Sequence, residues 1–262
     1  MNYTYTESTG ELYRWIRDEV ECPEVIKKGK RGMAARRVQE WLCLNGLSLV
    51  IDEDFGAVTE TTVREFQRAN NLVDDGEVGP MTWAVLVADM LAVLKATSNN
   101  SDILSFAVLE RARVHLAVHP VETGGQNRGP WVRLYMKGHE GNAWPWCAGF
   151  VTFLMEQACE LLDRRMPISG SFSCDSLAAQ ARAAGMFVEE GVPPEGLPPG
   201  TIFLNRRTST DWTHTGFVHE AEETLFHTIE GNTNDEGSRE GYEVCARRRG
   251  YSGKDFIVFP TE

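Results

Sequence analysis

Apolar positions recur at helical spacing through the first two thirds of the chain and alternate with polar ones beyond residue 200. A helix over roughly Ala34 to Asn45 is predicted from the apolar face Val38, Trp41, Leu42 and Leu44. Two more follow Thr59 (Val63, Phe66, Gln67) and Thr82 (Trp83, Leu86, Val87). From Asp102 the pattern is helical to about Val118 and breaks at Pro120 and Gly124-Gly125; Pro130 to Tyr135 predicts a short helix. Trp146-Cys147 opens a helix to about Leu162, with Phe150, Val151, Leu154 and Ala158 as one buried stripe. Strands are predicted at Thr201–Leu204, Thr215–His219, Leu225–Ile229, Tyr242–Arg247 and Phe256–Phe259. Helices first and strands later predict an α+β chain.

The early helices are linked by a repeat. Asp52-Glu53-Asp54-Phe55-Gly56-Ala57-Val58-Thr59 and Asp75-Gly76-Glu77-Val78-Gly79-Pro80-Met81-Thr82 share Asp, Gly and Thr at identical offsets. Each Thr is read as an N-cap, its hydroxyl meeting an orphan N–H of the first turn. Gly56 and Gly79 are read as loop positions of positive φ. A three-helix bundle built twice from one template is expected. The pattern Asp52, Phe55, Gly56, Thr59, Val63, Phe66, Gln67, Leu72, Asp75, Gly76, Val78, Gly79, Thr82 and Trp83 resembles the type-1 peptidoglycan-binding domain over residues 27–94, with Glu53 where that family has Gly. The resemblance implies binding to peptidoglycan. It does not say which side chains touch glycan, since Phe55, Phe66 and Trp83 also suit core packing. The polar run 95–101 is expected to be a linker to a second domain, 102–262.

A net charge of -12 argues against nucleic acid as a partner, which calls for a basic footprint. No apolar run reaches the roughly 20 residues that span a bilayer, so membrane insertion is not expected. The N-terminus lacks the basic and apolar regions of a secretory signal, so synthesis in the cytoplasm and action on the wall or periplasm after release or specialised secretion are expected. The six cysteines, at 22, 43, 147, 159, 174 and 245, contain no CxxC pair. Cys43 and Cys159 fall within helical patterns and read as small buried hydrophobes.

Cys147 differs from the others. A thiol opening a helix feels the positive end of the helix dipole, which favours thiolate, the nucleophilic form. A hairpin turning near Glu222 would set residue 214 opposite residue 230, with His214, Gly216 and Val218 on the face shared by Glu230, Thr228 and Phe226. Cys147 as nucleophile, His214 as base and Glu230 as its orienting acid then make a catalytic triad, and Asn232 can add a hydrogen bond to the ring or the loop. Trp144, Trp146 and Trp212 are candidate groove walls for substrate, with packing an equal alternative.

The pieces PWCAGFV, PPGTIFL, HTGFV and TIEGNTN, in that order, resemble the cysteine, histidine-dependent amidohydrolase/peptidase (CHAP) family over about residues 102–262. The resemblance implies a papain-like (CHAP/NlpC-like) domain with an antiparallel sheet packed on helices. It also implies Cys147 as nucleophile, His214 as base, Glu230 as third member and Asn232 as accessory amide. Trp146 stands where the family often has an oxyanion-hole Gln, leaving the second donor unassigned. The loop Gly138-His139-Glu140-Gly141-Asn142 lacks the carboxylates of a calcium site. His115 and His119, one turn apart, raise a zinc amidase as rival, but no Glu lies between them and Pro120 follows at once. No metal or cofactor is expected. The sequence thus predicts a peptidoglycan hydrolase cutting an amide of the stem-peptide region, as amidase or endopeptidase. A phage endolysin and a secreted antibacterial effector, the latter with an immunity protein, both fit. The alternative is a non-catalytic wall-binding protein with a degenerate papain-like domain.

Overall fold

A computed structural model describes residues 4, 12–95, 101–234 and 241–260. The expected linker lies largely outside these, since 96–100 are not among them. The chain divides into two units: Thr6–Leu94 with Val121–Gly141, and Met1–Tyr5 with Lys95–Pro120 and Asn142–Glu262. Residues 121–141, expected in the second domain, therefore belong to the first.

The first unit is richer in helices than the three-helix bundle expected. It contains α1 (Arg14–Val20), α2 (Met33–Leu44), α3 (Ala57–Ala69), α4 (Pro80–Leu86), α5 (Ala88–Leu94) and, after an excursion of the chain through α6 (Leu104–Val118), α7 (Pro130–Tyr135). The repeat is visible in its polar core. Buried Gln39 donates through Nε2 to Asp52 Oδ1 at 2.7 Å and Thr59 Oγ1 at 3.2 Å. Gln67 does the same to Asp75 Oδ1 at 2.9 Å and Thr82 Oγ1 at 3.1 Å. The two threonines are thus not N-caps. Gly56 and Gly79 hold those positions, and neither has positive φ (-85° and -97°). The left-handed positions are instead Glu53 (φ 64°) and Gly76 (φ 74°), equivalent in the two copies. Glu53 adopts there a backbone that glycine reaches more easily.

A buried ion cluster binds the late helix into this unit. The Arg133 guanidinium of α7 donates to both carboxylate oxygens of Glu19 (2.8 Å each), to Glu40 Oε2 (2.6 Å) and to Glu140 Oε2 (2.8 Å). Arg36 adds a 2.7 Å bond to Glu40. Burial opposes the charge on Arg133, but Glu19 and Glu40 more than compensate and raise its pKa further above the ordinary arginine value. Glu140, in the loop where calcium was considered, is a partner of this cluster.

The second unit packs α6, α8 (Cys147–Leu161) and α9 (Cys174–Ala183) against a six-stranded antiparallel sheet. Its strands are β1 (Phe187–Val188), β2 (Ile202–Thr208), β3 (Asp211–Ala221), β4 (Leu225–Thr233), β5 (Glu243–Gly250) and β6 (Lys254–Ile257), in the order β1-β6-β2-β3-β4-β5. The α+β expectation agrees with this arrangement. α8 is buried on nearly every side, not on one stripe, because it lies between the sheet and α6. Phe203, Val218, Phe226 and Phe256 form the core on the sheet. Among the described residues, no helix is long and apolar enough to cross a membrane.

Candidate active site

Cys147 is the first residue of α8, His214 sits on β3 and Glu230 on β4. The hairpin pairs Phe217 with Ile229 and Val218 with Thr228, two residues away from the expected register. Side chains alternate with period two, so a two-residue shift keeps His214 and Glu230 on one face; a one-residue slip would have parted them. His214 Nε2 lies 2.7 Å from Glu230 Oε2, which leaves Nδ1 for Cys147. Gly216 makes room for the carboxylate: a Cβ there would come within 2.8 Å of Glu230 Cγ.

Glu230 is completely buried and its carboxylate is saturated. Arg249 of β5 donates Nε to Oε1 at 2.8 Å and Nη2 to Oε2 at 2.5 Å, and the Thr228 hydroxyl donates to Oε1 at 2.5 Å. Burial alone would raise the Glu230 pKa, but the bonds from Arg249 and His214 bring it down to about 2. Burial likewise works against a charged His214, yet contact with Cys147 and Glu230 lifts its pKa to about 9. Arg249 escaped the sequence reading. The strand expected at Tyr242–Arg247 stops short of it, whereas β5 runs on to Gly250 and its alternation puts Arg249 on the face of Glu230.

Cys147 is 6% exposed. Its Sγ lies 3.9 Å from Sγ of Cys174, the first residue of α9. The thiol pKa is held well below its ordinary value, first by the hydrogen bond from Cys174, then, against burial, by His214 and the Ala148 N–H. Cys174 is pushed well up by that hydrogen bond, by burial and by the charge on Cys147. These shifts favour the charged forms of Cys147 and His214 and the neutral thiol of Cys174. The sequence reading offered no role for Cys174, because α8 and α9 meet only in the fold.

Asn232 bonds the loop, one of the two roles expected for it. Its Oδ1 accepts from the Trp146 N–H at 2.9 Å, and its Nδ2 donates to Gly241 O at 2.6 Å, fixing the residue that precedes Cys147. Between Glu230 and Asn232 only glycine fits, since a Cβ on Gly231 would fall 2.7 Å from both the Trp146 and Phe150 rings. The Glu-Gly-Asn triplet therefore orients the imidazole, admits the first turn of α8 and fixes its entry.

Two of the three expected groove tryptophans are interior. Trp146 is fully buried against Gly231 and Phe150. Trp212 is 6% exposed, donates Nε1 to Asp255 at 2.8 Å and stacks edge-on against Phe187. Trp144 alone is half-buried, beside Phe172. The zinc geometry of the rival reading does not form. His115 is enclosed, bonds Gln157 at 3.2 Å and has its pKa lowered to about 3 by burial. His119 leaves the helix in the left-handed conformation and contacts Glu243 at 2.5 Å. Among the described residues, no group of three His, Cys, Asp or Glu is placed to hold a metal.

The first unit contains a cavity of about 310 Å³ lined by Arg14, Arg17, Arg37, Glu24, Ile26 and Trp83, among others.

Residues 31–86 match the family described as "Putative peptidoglycan binding domain". The N-terminal domain of SleB is 32% identical, with 26% of this chain and 93% of that one covered and a TM-score of 0.25. A fused Zn-dependent amidase/peptidase/peptidoglycan-binding domain-containing protein from Clostridium acetobutylicum is 34% identical over 25% of this chain and 29% of its own, with a TM-score of 0.24. The endolysin of Burkholderia AP3 phage is 32% identical over 36% of this chain and 33% of its own, with a TM-score of 0.25. The chain thus spans about a third of the length of these last two proteins. No curated protein matches. The chain carries a peptidoglycan-binding domain over residues 31–86.

Proposed function

We propose that this protein is a peptidoglycan hydrolase whose second unit, a papain-like (CHAP-like) cysteine hydrolase, cuts an amide bond of the stem-peptide region. The observation that carries the reading is the hydrogen-bonded line His214–Glu230–Arg249, with a buried, saturated carboxylate orienting the imidazole, together with a Cys147 thiol at a helix start whose pKa His214 helps to lower. In the reaction, the Cys147 thiolate adds to the amide carbonyl, and the oxyanion forms near the unpaired N–H groups of the first turn of α8. Protonated His214 gives its Nδ1 proton to the departing amine, and a thioester remains on Cys147. His214, now neutral, takes a proton from water as the water attacks, and the acid and the thiolate are regenerated.

Glu230 stays ionised throughout, because Arg249 and Thr228 stabilise its charge. Trp144 is the tryptophan left to meet substrate. The peptidoglycan-binding domain raises the local concentration of enzyme on murein. It also sets this reading above a general protease, while the presence of Cys147, His214 and Glu230 together, with His214 bonded to Glu230, favours it over a wall-binding protein with an inactive second domain. A phage endolysin and a secreted effector with a cognate immunity protein are the two settings that suit a chain acting on the wall after release.

The test is mass spectrometry of purified murein digested by the protein. Stem peptides with new L-alanine N-termini identify an amidase, shortened stems or opened cross-links identify an endopeptidase, and unchanged murein overturns the reading. The protonation states add a pH signature. Imidazolium is required to protonate the leaving amine, and His214 titrates at about 9, above its ordinary value. Its proton is therefore in place at neutral pH and is lost as the pH passes about 9. kcat/KM is expected to hold a plateau through neutral pH and fall on the alkaline side; a fall already centred near 6.5, the ordinary imidazole value, would contradict the ion pair.

A further inference from the structure

Cys174 is a second thiol in contact with the nucleophile. Its Sγ lies 3.9 Å from Cys147 Sγ, both cysteines open helices, and both are buried. All six cysteines are free, so the pair stands reduced. We propose that Cys147 and Cys174 form a modification site: a peroxide-class oxidant converts them into a disulfide that reversibly occupies the nucleophile.

The Cys147 thiolate attacks one oxygen of the peroxide; an S–O bond forms, the O–O bond breaks and hydroxide leaves, giving a sulfenic acid. Cys174 gives its proton to that hydroxide and attacks Cys147 Sγ. An S–S bond forms, the S–O bond breaks, and the second oxygen leaves as hydroxide, which takes the proton held by the His214 imidazolium and becomes water. Two thiols have lost two electrons, and one peroxide has become two waters. The division of labour follows from the environments. Cys147 is the anionic, oxidisable partner. Cys174 keeps its proton chiefly because of its bond to Cys147 and its own burial, with the charge on Cys147 adding to them. The sulfenic acid is neutral, so that charge disappears at the moment Cys174 must ionise. The sulfurs need to close by roughly 2 Å to reach a normal disulfide length, a displacement within reach of side-chain rotation at two helix starts. A dithiol reductant reverses the bond by exchange. The consequence for turnover rests on the hydrolase reading above, while the disulfide itself does not.

The experiment treats the full reduced chain with hydrogen peroxide and reads intact mass, disulfide-mapped peptides and murein turnover together. The expected result is loss of two hydrogens, a cross-link joining the Cys147 and Cys174 peptides, and loss of turnover in proportion to the cross-linked fraction, restored by dithiothreitol. In Cys174→Ser, Cys147 is expected instead to gain two oxygens, and dithiothreitol should not remove them. Uptake of oxygen at Cys147 in the wild-type chain without a 147–174 cross-link overturns the proposal, as does a cross-link confined to other cysteines. Because the wild-type map needs no variant, a folding defect in Cys174→Ser leaves the test intact. A 147–174 cross-link in a chain that never cleaves murein would uphold the site and sink the hydrolase reading.

Discussion

Cys147→Ala is expected to lower kcat/KM on murein by about 10⁴-fold or more while leaving the protein folded. The size of the effect follows from the division of roles at the site. His214 and Glu230 act through the thiolate, so removing Sγ removes the covalent path and leaves only substrate binding and the helix-terminal N–H groups. The structural effect is small because a single sulfur is lost from a residue at a helix start, which corresponds to about 1 kcal/mol for a small buried group. Cys147→Ser is the sharper control. Its hydroxyl occupies a similar volume but is far harder to ionise, so it should be almost as inactive. Turnover of either variant within about tenfold of wild type, with matching thermal unfolding, would remove the thiolate from the mechanism.

The second large effect is on stability. Arg133→Met is expected to destabilise the first unit by about 3–5 kcal/mol. Arg133 lies among Glu19 and Glu40, both essentially inaccessible to water, and supplies hydrogen bonds to each. Methionine matches the length of the side chain but not its charge, and the two carboxylates would be left with Arg36 and Arg37 as partners. The strain comes from the uncompensated carboxylates, so the deficit is expected to be partly relieved by Glu19→Gln in the same chain. Hydrogen exchange in α2 and α7 reads the effect in the right unit, without assuming that both units unfold together. Unchanged protection in both helices would show that the cluster contributes little.

This cluster also marks where sequence reasoning stopped. The helix Pro130–Tyr135 was legible from its apolar pattern and its proline, yet its unit was not. Arg133 has no neighbour within its own helix that reveals Glu19 and Glu40, which lie more than ninety residues earlier. The repeat had the opposite character. Its offsets are visible, but a hydroxyl before a helical pattern suits a cap as well as a core contact, and the offsets do not choose between them. The structure pairs Thr59 and Thr82 with Gln39 and Gln67 across the core of the unit. Of these partners, Gln67 was on view as part of the family pattern, without a function attached.

The candidate site shows the same boundary in finer detail. Helical period around Cys147 and two-residue alternation around His214 and Glu230 are local properties, set by neighbours a few positions apart, and they specified a thiol at a helix start and an imidazole and a carboxylate on one face. That much survived a register two residues away from the expected one, because parity and not alignment assigns the face. The contacts of Arg249 with Glu230, of Cys174 with Cys147 and of Asn232 with the Trp146 N–H belong to the tertiary structure. So does the burial of Trp146 and Trp212. Each depends on which strand lies beside which and how closely a helix approaches the sheet. Those distances come from closing the core as a whole, and no local pattern encodes them.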